Sequence, residues 1–174
     1  MVKIRKGTAY RRLERPYTRK SKYRRYQFVR ANPTMIIARF ESGEAQKKYE
    51  YSYTLATKVS LQIRQNAIEA ARQSSVRVLE KKLGKTGYHF RVRIYPHHVL
   101  RENPLASGAG ADRMSTGMQK SFGKSIGLAA RVYAGQTLIE IQTSKENRDI
   151  ARIALERALH KFPCSCTIQE VKLN

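Results

Sequence analysis

The clearest nucleophile-like spacing lies at residues 123–127, GKSIG, which match the GxSxG pattern of serine hydrolases. Asp149 and His160 follow in the order that such hydrolases use. The pattern needs a turn from a strand into a helix, however, and here a glycine-rich run precedes it and a strand-like run follows it. The chain also shows no alternating strand and helix units, so a small serine hydrolase is the weakest functional alternative.

Two glycine patterns suggest phosphate binding and fail on spacing. The Walker pattern places its first glycine five residues before the second, where this chain has Met118. Gly108 and Gly110 begin a dinucleotide fingerprint, but Arg113 stands in place of its third glycine. These glycines are therefore interpreted as backbone freedom, and no cofactor is predicted.

The candidate metal ligands are few and poorly spaced. Cys164 and Cys166 are separated by one residue, whereas zinc knuckles need two intervening residues. We interpret them as small buried or edge side chains and predict no metal site. His97 and His98 are interpreted as hydrogen-bond donors to a partner or as residues that cap the end of a strand.

Charge is the strongest signal in the composition. The 174 residues include 35 Lys and Arg against 13 Asp and Glu, a net charge of +22. Such self-repulsion indicates a polyanionic partner. Nucleic acid is favoured over a membrane surface because no amphipathic segment carries a large apolar face. The absence of a long apolar run and of a signal sequence, together with only two cysteines, predicts a reducing cytosol.

Half of the net charge lies in residues 1–30, which hold twelve Lys or Arg and one acid. Aromatic residues are interleaved with the cations, which favours RNA binding by phosphate neutralisation and base stacking over a merely solubilising tail. Without apolar periodicity, this extension is predicted to order only on a partner. Its predicted RNA-binding residues are Lys3, Arg5, Lys6, Arg11, Arg12, Arg15, Tyr17, Arg19, Lys20, Lys22, Tyr23, Arg24 and Arg25.

A strand followed by a long loop is the next feature. Residues 88–95 alternate strictly, so Tyr88, Phe90, Val92 and Ile94 are predicted to be buried beneath a cationic face. That opposite face comprises His89, Arg91, Arg93 and Tyr95, and its two arginines are predicted to rest on RNA. Just beyond it, His97 and His98 are predicted to donate to RNA phosphate or sugar. A functional loop is predicted at about 97–127 because the pattern stops at Pro96 and glycines and cations follow. The loop residues predicted to approach the polyanionic partner are Arg101, Gly108, Gly110, Arg113, Lys120 and Lys124.

The remaining elements define one α+β domain over residues 31–174. Strands are predicted at 35–40 and 49–56, with a turn at Ser42 and Gly43 between them. A helix over 58–83 is predicted to start at a Thr57 or Ser60 cap and to end at Gly84. Its predicted buried stripe consists of Ile63, Ala67, Ala70, Ala71, Ser74 and Val78.

The C-terminal part predicts a hairpin, a helix and a strand. The hairpin joins residues 128–133 to 137–143 through a turn at 134–136. The helix begins near Ser144 and Asn147 and stops before Pro163, and a last strand covers 166–173. The predicted apolar face of that helix comprises Ile150, Ile153, Ala154, Leu155, Ala158, Leu159 and Phe162. The predicted fold is thus a mostly antiparallel sheet with two helices over one face.

Three segments resemble a known family: GYHFRVRIYPHHVLR, AGADRMSTGMQKSFGK and ARVYAGQTLIEIQT. They are similar to the large-subunit ribosomal protein family called L16 in bacteria and L10e in archaea and eukaryotes, and are nearest to the latter branch. The resemblance covers about residues 33–163 and implies an α/β hammerhead-like fold.

The same resemblance implies a structural, non-enzymatic and non-homo-oligomeric constituent of the cytoplasmic large ribosomal subunit. Its implied partners are large-subunit rRNA, 5S rRNA, neighbouring ribosomal proteins and A-site aminoacyl-tRNA. The tRNA would be approached by the loop near the peptidyl-transferase region. A ribosome-associated RNA-binding assembly or regulatory factor is the alternative of a different class.

Overall fold

The computed structural model describes residues 6–13, 23, 25, 32–102 and 124–173. These residues form eight strands and two helices, besides short 3₁₀ turns at Gly7–Tyr10 and Lys145–Asn147. The elements are β1 (Glu41–Gly43), β2 (Tyr51–Thr57), β3 (Leu61–Arg64), α1 (Gln65–Leu83), β4 (His89–Val92), β5 (His98–Glu102), β6 (Lys124–Val132), β7 (Thr137–Thr143), α2 (Arg148–Leu159) and β8 (Cys166–Lys172). None of the helices in these ranges is long and apolar enough to cross a membrane.

The strands form two sheets. One has the order β1-β4-β7-β2-β8 and the other β3-β6-β5, and all of their pairings are antiparallel. The predicted α+β class, with mostly antiparallel strands and two helices, is confirmed. The predicted single sheet is wrong, because the chain crosses between the two sheets after β2, after β3, after β4 and after β6.

The main core lies between the helices and the first sheet. Tyr88, Phe90, Val92 and Ile94 are buried in it, as their alternation predicts. The helices are joined at a buried point where the Ser75 hydroxyl donates to the carbonyl of Ala154, 2.9 Å away. The antiparallel first sheet therefore has one apolar face against the helices, the arrangement that alternation predicts.

Residues 35–40 do not form the predicted strand, and β1 occupies the predicted turn instead. The backbone N–H of Ile36 donates to Gln65 Oε1 at 3.2 Å, and that of Ala38 donates to Glu69 Oε2 at 3.4 Å. Side chains of α1 thus take the place of a neighbouring strand. Such bonds satisfy the backbone without a sheet, so propensity alone could not reveal them.

Helix α1 begins later than predicted. Residues 61–64 form β3 and pair with β6, so neither Thr57 nor Ser60 caps the helix. Arg64 occupies the N-cap position without a side-chain capping bond. The predicted end is confirmed: Gly84 has φ +69°, and its N–H donates to the carbonyl of Glu80 at 3.1 Å.

The buried face of α1 is also rotated from the predicted stripe of small residues. Of the helical residues in that stripe, Ala71 is buried, whereas the other four are partly exposed. The buried face is formed by Gln65, Ile68, Glu69, Ala71, Ser75, Val76 and Leu79. Larger side chains, Ile68 and Leu79 in particular, bury more apolar area than alanine and determine the orientation.

The predicted hairpin of β6 and β7 is wrong, although both strands exist. β6 pairs with β3 and β5, and β7 pairs with β2 and β4. The predicted glycine turn is present, with Gly135 at φ +83°. Its N–H donates to the carbonyl of Thr57 at 2.7 Å, and the N–H of Thr57 donates to the carbonyl of Gln136 at 3.1 Å. The turn is held on the end of β2, and the two strands diverge from it into different sheets.

Helix α2 begins one 3₁₀ turn after Ser144, whose carbonyl accepts from the N–H of Asn147 at 3.1 Å. Ala154, Leu155 and Ala158 are buried as predicted. Ile153, which was predicted on the same face, is 47% exposed, and Ala151 lies there instead. β8 pairs with β2 along its whole length, which confirms the last predicted strand.

Candidate nucleic-acid interface

The described N-terminal residues 6–13 lie along the outer edge of β3, and we call them the N-terminal edge. The backbone N–H of Gln62 donates to the carbonyl of Arg11 at 2.9 Å. The Gln62 side-chain amide donates to the carbonyl of Arg12 at 2.6 Å. One glutamine therefore fixes two successive residues through their backbone oxygens and leaves both side chains unused.

The cationic side chains of the N-terminal edge face solvent. Lys6, Arg11 and Arg12 are exposed, and within the described ranges no carboxylate oxygen lies within ion-pairing distance of them. Beside them, the Arg64 guanidinium lies over the ring of Tyr10, 6.0 Å from its centroid. Residues 6–13 of the predicted extension thus lie against β3, where Gln62 bonds their backbone.

Arg91 in β4 and Arg93 just after it lie beside carboxylates of the domain. Arg91 Nε donates to Glu41 Oε1 at 2.6 Å, and Arg93 Nε lies 3.5 Å from Glu140 Oε2. Each carboxylate comes from a neighbouring strand, β1 or β7. We call this surface the paired face. It was predicted to be a free cationic surface, and the structure shows that both of its positive charges are neutralised within the domain.

Glu140 is the centre of a polar network on this side of the sheet. Its Oε1 accepts from the Ser52 hydroxyl at 3.1 Å and from the Gln142 amide at 2.9 Å. His89 was predicted to share the exposed side but is buried, with Nδ1 3.4 Å from Gln142 Oε1. The network links side chains of β2, β4 and β7 across this face.

An exposed aromatic group lies beyond β4. The rings of Phe40 and Tyr95 stack with centroids 5.3 Å apart and an interplanar angle of 19°. The ring of His97 lies 4.4 Å from that of Tyr95 at 44°. Tyr95 is 48% exposed, so part of it remains open to a further planar group. Sequence reasoning proposed His97 and missed Phe40 and Tyr95, although a tyrosine and a histidine flanking Pro96 were a usable signal.

Strands occupy part of the sequence range that was predicted to be a functional loop. β5 and β6 form a hairpin that starts at His98 opposite Ala129 and ends with Glu102 opposite Lys124, so strands occupy both ends of the predicted 97–127. Val99 and Leu100 are both buried, and a register shift follows them. Two successive buried residues break the alternation that would have revealed β5. The backbones of Arg101 and Lys124 lie at the base of the loop.

Many predicted contact residues lie outside the described ranges. They are Lys3, Arg5, Arg15, Tyr17, Arg19, Lys20, Lys22, Arg24, Gly108, Gly110, Arg113 and Lys120. Tyr23 and Arg25 are described and exposed. His98 begins β5. The other predicted contacts in the described ranges are divided among the N-terminal edge, the paired face, the aromatic group and the base of the loop.

A cavity of about 280 Å³ joins the N-terminal edge to the base of the loop. It is lined by Tyr10, Arg64, Asn66 and residues 125–128 of β6, among others.

Ser125, the predicted hydrolase-like serine, lies in a strand that pairs with β5, not at a turn into a helix. This placement excludes the strand-turn-helix geometry of a hydrolase nucleophile.

The two cysteines lie close together. Their Sγ atoms are 3.6 Å apart. Cys164 lies in a bend that precedes β8, and only Cys166 belongs to the strand. No group of three or more His, Cys, Asp or Glu side chains that could hold a metal is found in the part of the chain that the structure describes.

Comparison with known proteins identifies relatives over most of the chain. The sequence model of the family described as "Ribosomal protein L16p/L10e" matches residues 15–169. The "Large ribosomal subunit protein uL16" of Methanococcus aeolicus is 43% identical over 166 residues, which cover 95% of this chain and 92% of the relative. Proteins of the same description from Methanocella arvoryzae and Hyperthermus butylicus are 45% and 42% identical, covering 81% and 91% of this chain and 82% and 84% of theirs.

Proposed function

Because the chain belongs to the ribosomal protein L16p/L10e family, and is thus a ribosomal protein and not an enzyme, we propose that it acts as a structural constituent of the large ribosomal subunit. In this role it binds large-subunit rRNA in the ribosome of the cytoplasm. The observation that supports rRNA binding most directly is the N-terminal edge, with three exposed cations on a backbone that the domain holds in place.

Phosphate neutralisation is the main source of affinity in this proposal. Lys6, Arg11 and Arg12 present positive charge without an internal carboxylate among the described residues, so phosphates are their available counterions. Because Gln62 fixes the backbone of both arginines, binding orders fewer atoms than it would on a free tail. Such contacts position RNA and do not read its sequence.

The aromatic group adds a second kind of contact. Its exposed ring, Tyr95, is already stacked on Phe40 from one side, which restrains it in one orientation. Unpaired RNA bases stack on aromatic side chains of this kind, with roughly 1–3 kcal/mol per base. We therefore place an unpaired or looped base of rRNA at Tyr95 and His97.

The finer part of the proposal concerns tRNA. Residues 103–123 connect β5 to β6 in the sequence, and the family resemblance supports an approach of this segment to aminoacyl-tRNA in the A site. Arg113, Lys120 and the loop glycines would position RNA there without catalysing a reaction. 5S rRNA and neighbouring ribosomal proteins are further proposed partners.

Stoichiometry in purified large subunits tests the main proposal. Subunits are washed in rising salt, and the chain is quantified by mass spectrometry against established subunit proteins. We expect one copy per subunit that remains bound at moderate salt. Release well below the salt that removes other structural proteins would favour an assembly or regulatory factor that visits the ribosome.

The proposed contacts can be separated from mere incorporation. In reconstituted subunits, ultraviolet crosslinking should join Tyr95 or His97 to rRNA, and Tyr95→Ala should remove that crosslink while the chain is still incorporated. Arg113→Ala should slow tRNA accommodation and leave the melting temperature of the isolated protein unchanged. Normal accommodation in that variant would refute the proposed role of the loop.

A further inference from the structure

Cys164 and Cys166 form a close dithiol that the ribosomal role does not use. The Sγ atoms are 3.6 Å apart, and Cys166 Sγ also lies 3.7 Å from the carbonyl oxygen of Cys164. Both residues are partly exposed and pack against the rim of the core. Cys166 is opposite Thr57 in the pairing of β8 with β2, so one sulfur is on a rigid strand and the other on the bend before it.

The surroundings of the two sulfurs shift their pKa values in opposite directions. The hydrogen bond from the Cys166 thiol, with help from the Thr57 side chain and the positive charge of Arg11, lowers the pKa of Cys164 to about 6, although burial opposes this. The pKa of Cys166 is raised, because its hydrogen bond to Cys164 favours the protonated form and burial adds to this effect, while Lys58 opposes it. Near neutral pH the pair therefore consists of a thiolate at Cys164 and a thiol at Cys166.

We propose that Cys164 and Cys166 are an oxidative modification site, at which a hydroperoxide converts the pair into an intrachain disulfide. The geometry supplies what this chemistry needs: an accessible attacking sulfur, a second thiol within contact, and cationic neighbours. The described residues offer no third metal ligand, which separates this pair from a structural zinc site.

The reaction balances in two steps. The Cys164 thiolate attacks the terminal oxygen of the hydroperoxide, so that an S–O bond forms, the O–O bond breaks, and the leaving alkoxide takes a proton to become an alcohol. Cys164 is then a sulfenic acid. The Cys166 thiol loses its proton and attacks the Cys164 sulfur, the S–O bond breaks, and the hydroxide leaves as water. Two thiols lose two electrons, and the peroxide is reduced to alcohol and water.

The required movement is small. The sulfurs must approach from 3.6 Å to about 2.05 Å, the length of a disulfide bond. β8 is held along its length by pairing with β2, so the bend at Cys164 is the part that can adjust. The sulfur that moves, that of Cys164, is thus also the sulfur that attacks the hydroperoxide.

Hydrogen peroxide on the reduced, purified full-length protein tests the proposal. At pH 7 we expect both titratable thiols to be lost and the intact mass to fall by about 2 units, with no oxygen retained. The urea-unfolded protein is the matched control and should form the disulfide at least about tenfold more slowly, because the Cys164 thiolate is then scarce. Retention of both thiols, or equal rates in folded and unfolded protein, would overturn the proposal.

Single variants assign the roles. Cys166→Ser should stop at a sulfenic acid that dimedone traps, because the second thiol is missing. Cys164→Ser should react slowly, because the remaining thiol lacks a lowered pKa. Faster reaction of Cys164→Ser than of Cys166→Ser would contradict the assignment.

A pH profile provides a readout that does not depend on any variant. In the folded wild-type protein, alkylation of the first thiol should be half-maximal near pH 6, against about 8.5 after unfolding. A single folded-state transition near 8.5 would refute the thiolate and thiol pair. None of these measurements depends on the ribosomal assignment, so the two proposals can fail separately.

Discussion

The N-terminal edge and the paired face show two different uses of arginine. In the first, Arg11 and Arg12 are held by their backbone oxygens, and their charges remain exposed. In the second, Arg91 and Arg93 lie beside carboxylates on neighbouring strands. The comparison teaches that the cations counted in a sequence are not all available to RNA, because some are neutralised by the domain that carries them.

The difference follows from the nature of the anchor. A glutamine amide is neutral and binds backbone oxygens, so anchoring the N-terminal edge consumes no charge. A glutamate binds a guanidinium directly and cancels its charge, and RNA must then compete with an ion pair that is already formed. The predictions below test this distinction, from the largest expected effect to the smallest.

Replacing Gly43, whose backbone conformation holds β1 in place, should have the largest effect on the free energy of unfolding. Gly43 has φ +91°, and a Cβ added there would lie 2.1 Å from the carbonyl oxygen of Tyr88. Gly43→Ala should therefore displace β1, separate Glu41 from Arg91 and lower the free energy of unfolding by about 3 kcal/mol or more, measured in urea. In Gly135→Ala, where φ is +83° and no described atom lies within 4 Å of the new Cβ, we expect about 1 kcal/mol. Equal losses would contradict the steric explanation.

Glu69 tests another internally neutralised arginine, Arg72. Arg72 donates to both of its carboxylate oxygens, at 2.7 and 2.8 Å. These bonds, with one from Gln73, hold the pKa of Glu69 below its ordinary value although burial raises it. The resulting stability is present above the unfolded pKa of about 4.3 and is lost as the pH falls through the lower folded pKa.

Glu69→Gln should cost about 2 kcal/mol at pH 7 and reduce the acid-induced loss of stability, followed by urea unfolding between pH 7 and 3. Glu156→Gln is the control, because its i,i+4 pair with Arg152 is solvent-exposed and should contribute less than about 0.5 kcal/mol. Similar costs for both variants would show that burial of the pair does not matter.

Neutralising the N-terminal edge should have the largest effect on RNA affinity. In the triple variant Lys6→Gln, Arg11→Gln and Arg12→Gln, the slope of log K against log salt for rRNA binding should be shallower by about 2 to 3. Thermal stability should be retained, because the anchoring bonds use backbone oxygens. An unchanged slope would mean that these cations do not contact phosphate.

Loosening the same edge without removing a charge is a sharper test. Gln62→Ala deletes the side-chain bond to the Arg12 carbonyl and should cost about 1 kcal/mol of stability. We expect RNA affinity to fall a few-fold with an unchanged salt slope, since every cation remains. If the salt slope became as shallow as in the triple variant, the arginines would contact RNA phosphates only while Gln62 holds their backbone.

The paired face should give the smallest effect. Arg91→Gln with Arg93→Gln removes two cations that are already neutralised, so the salt slope should change by less than about 0.5. A change near 2 would show that rRNA displaces Glu41 and Glu140, and the distinction between the two regions would be lost.

Much of the fold followed from local patterns. The alternation from Tyr88 to Ile94 predicted which side chains are buried, because the side-chain period of a strand depends only on its own backbone. Gly84 predicted the end of α1 because a left-handed residue favours glycine. Strand pairing was predicted less well, since the turn at Gly135 was expected to make a hairpin and instead directs two strands into different sheets.

For the candidate site, too, the sequence predicted some features and could not predict others. The cationic stretches were visible in the sequence, but the carboxylates that neutralise Arg91 and Arg93 lie on distant strands and could not be assigned to them. The stacking of Phe40 on Tyr95 and the contact of the two sulfurs likewise depend on how separate segments or a bend place the side chains.

The sequence by itself determined the net charge, the α+β class, the likeness to a ribosomal family and the buried side of β4. Each of these depends on composition or on residues close together in the chain. The tertiary structure alone decided which arginines are neutralised, which aromatic rings meet and that Cys164 faces Cys166. Those outcomes depend on distances between side chains of a few ångströms, and packing sets such distances while the local sequence pattern does not.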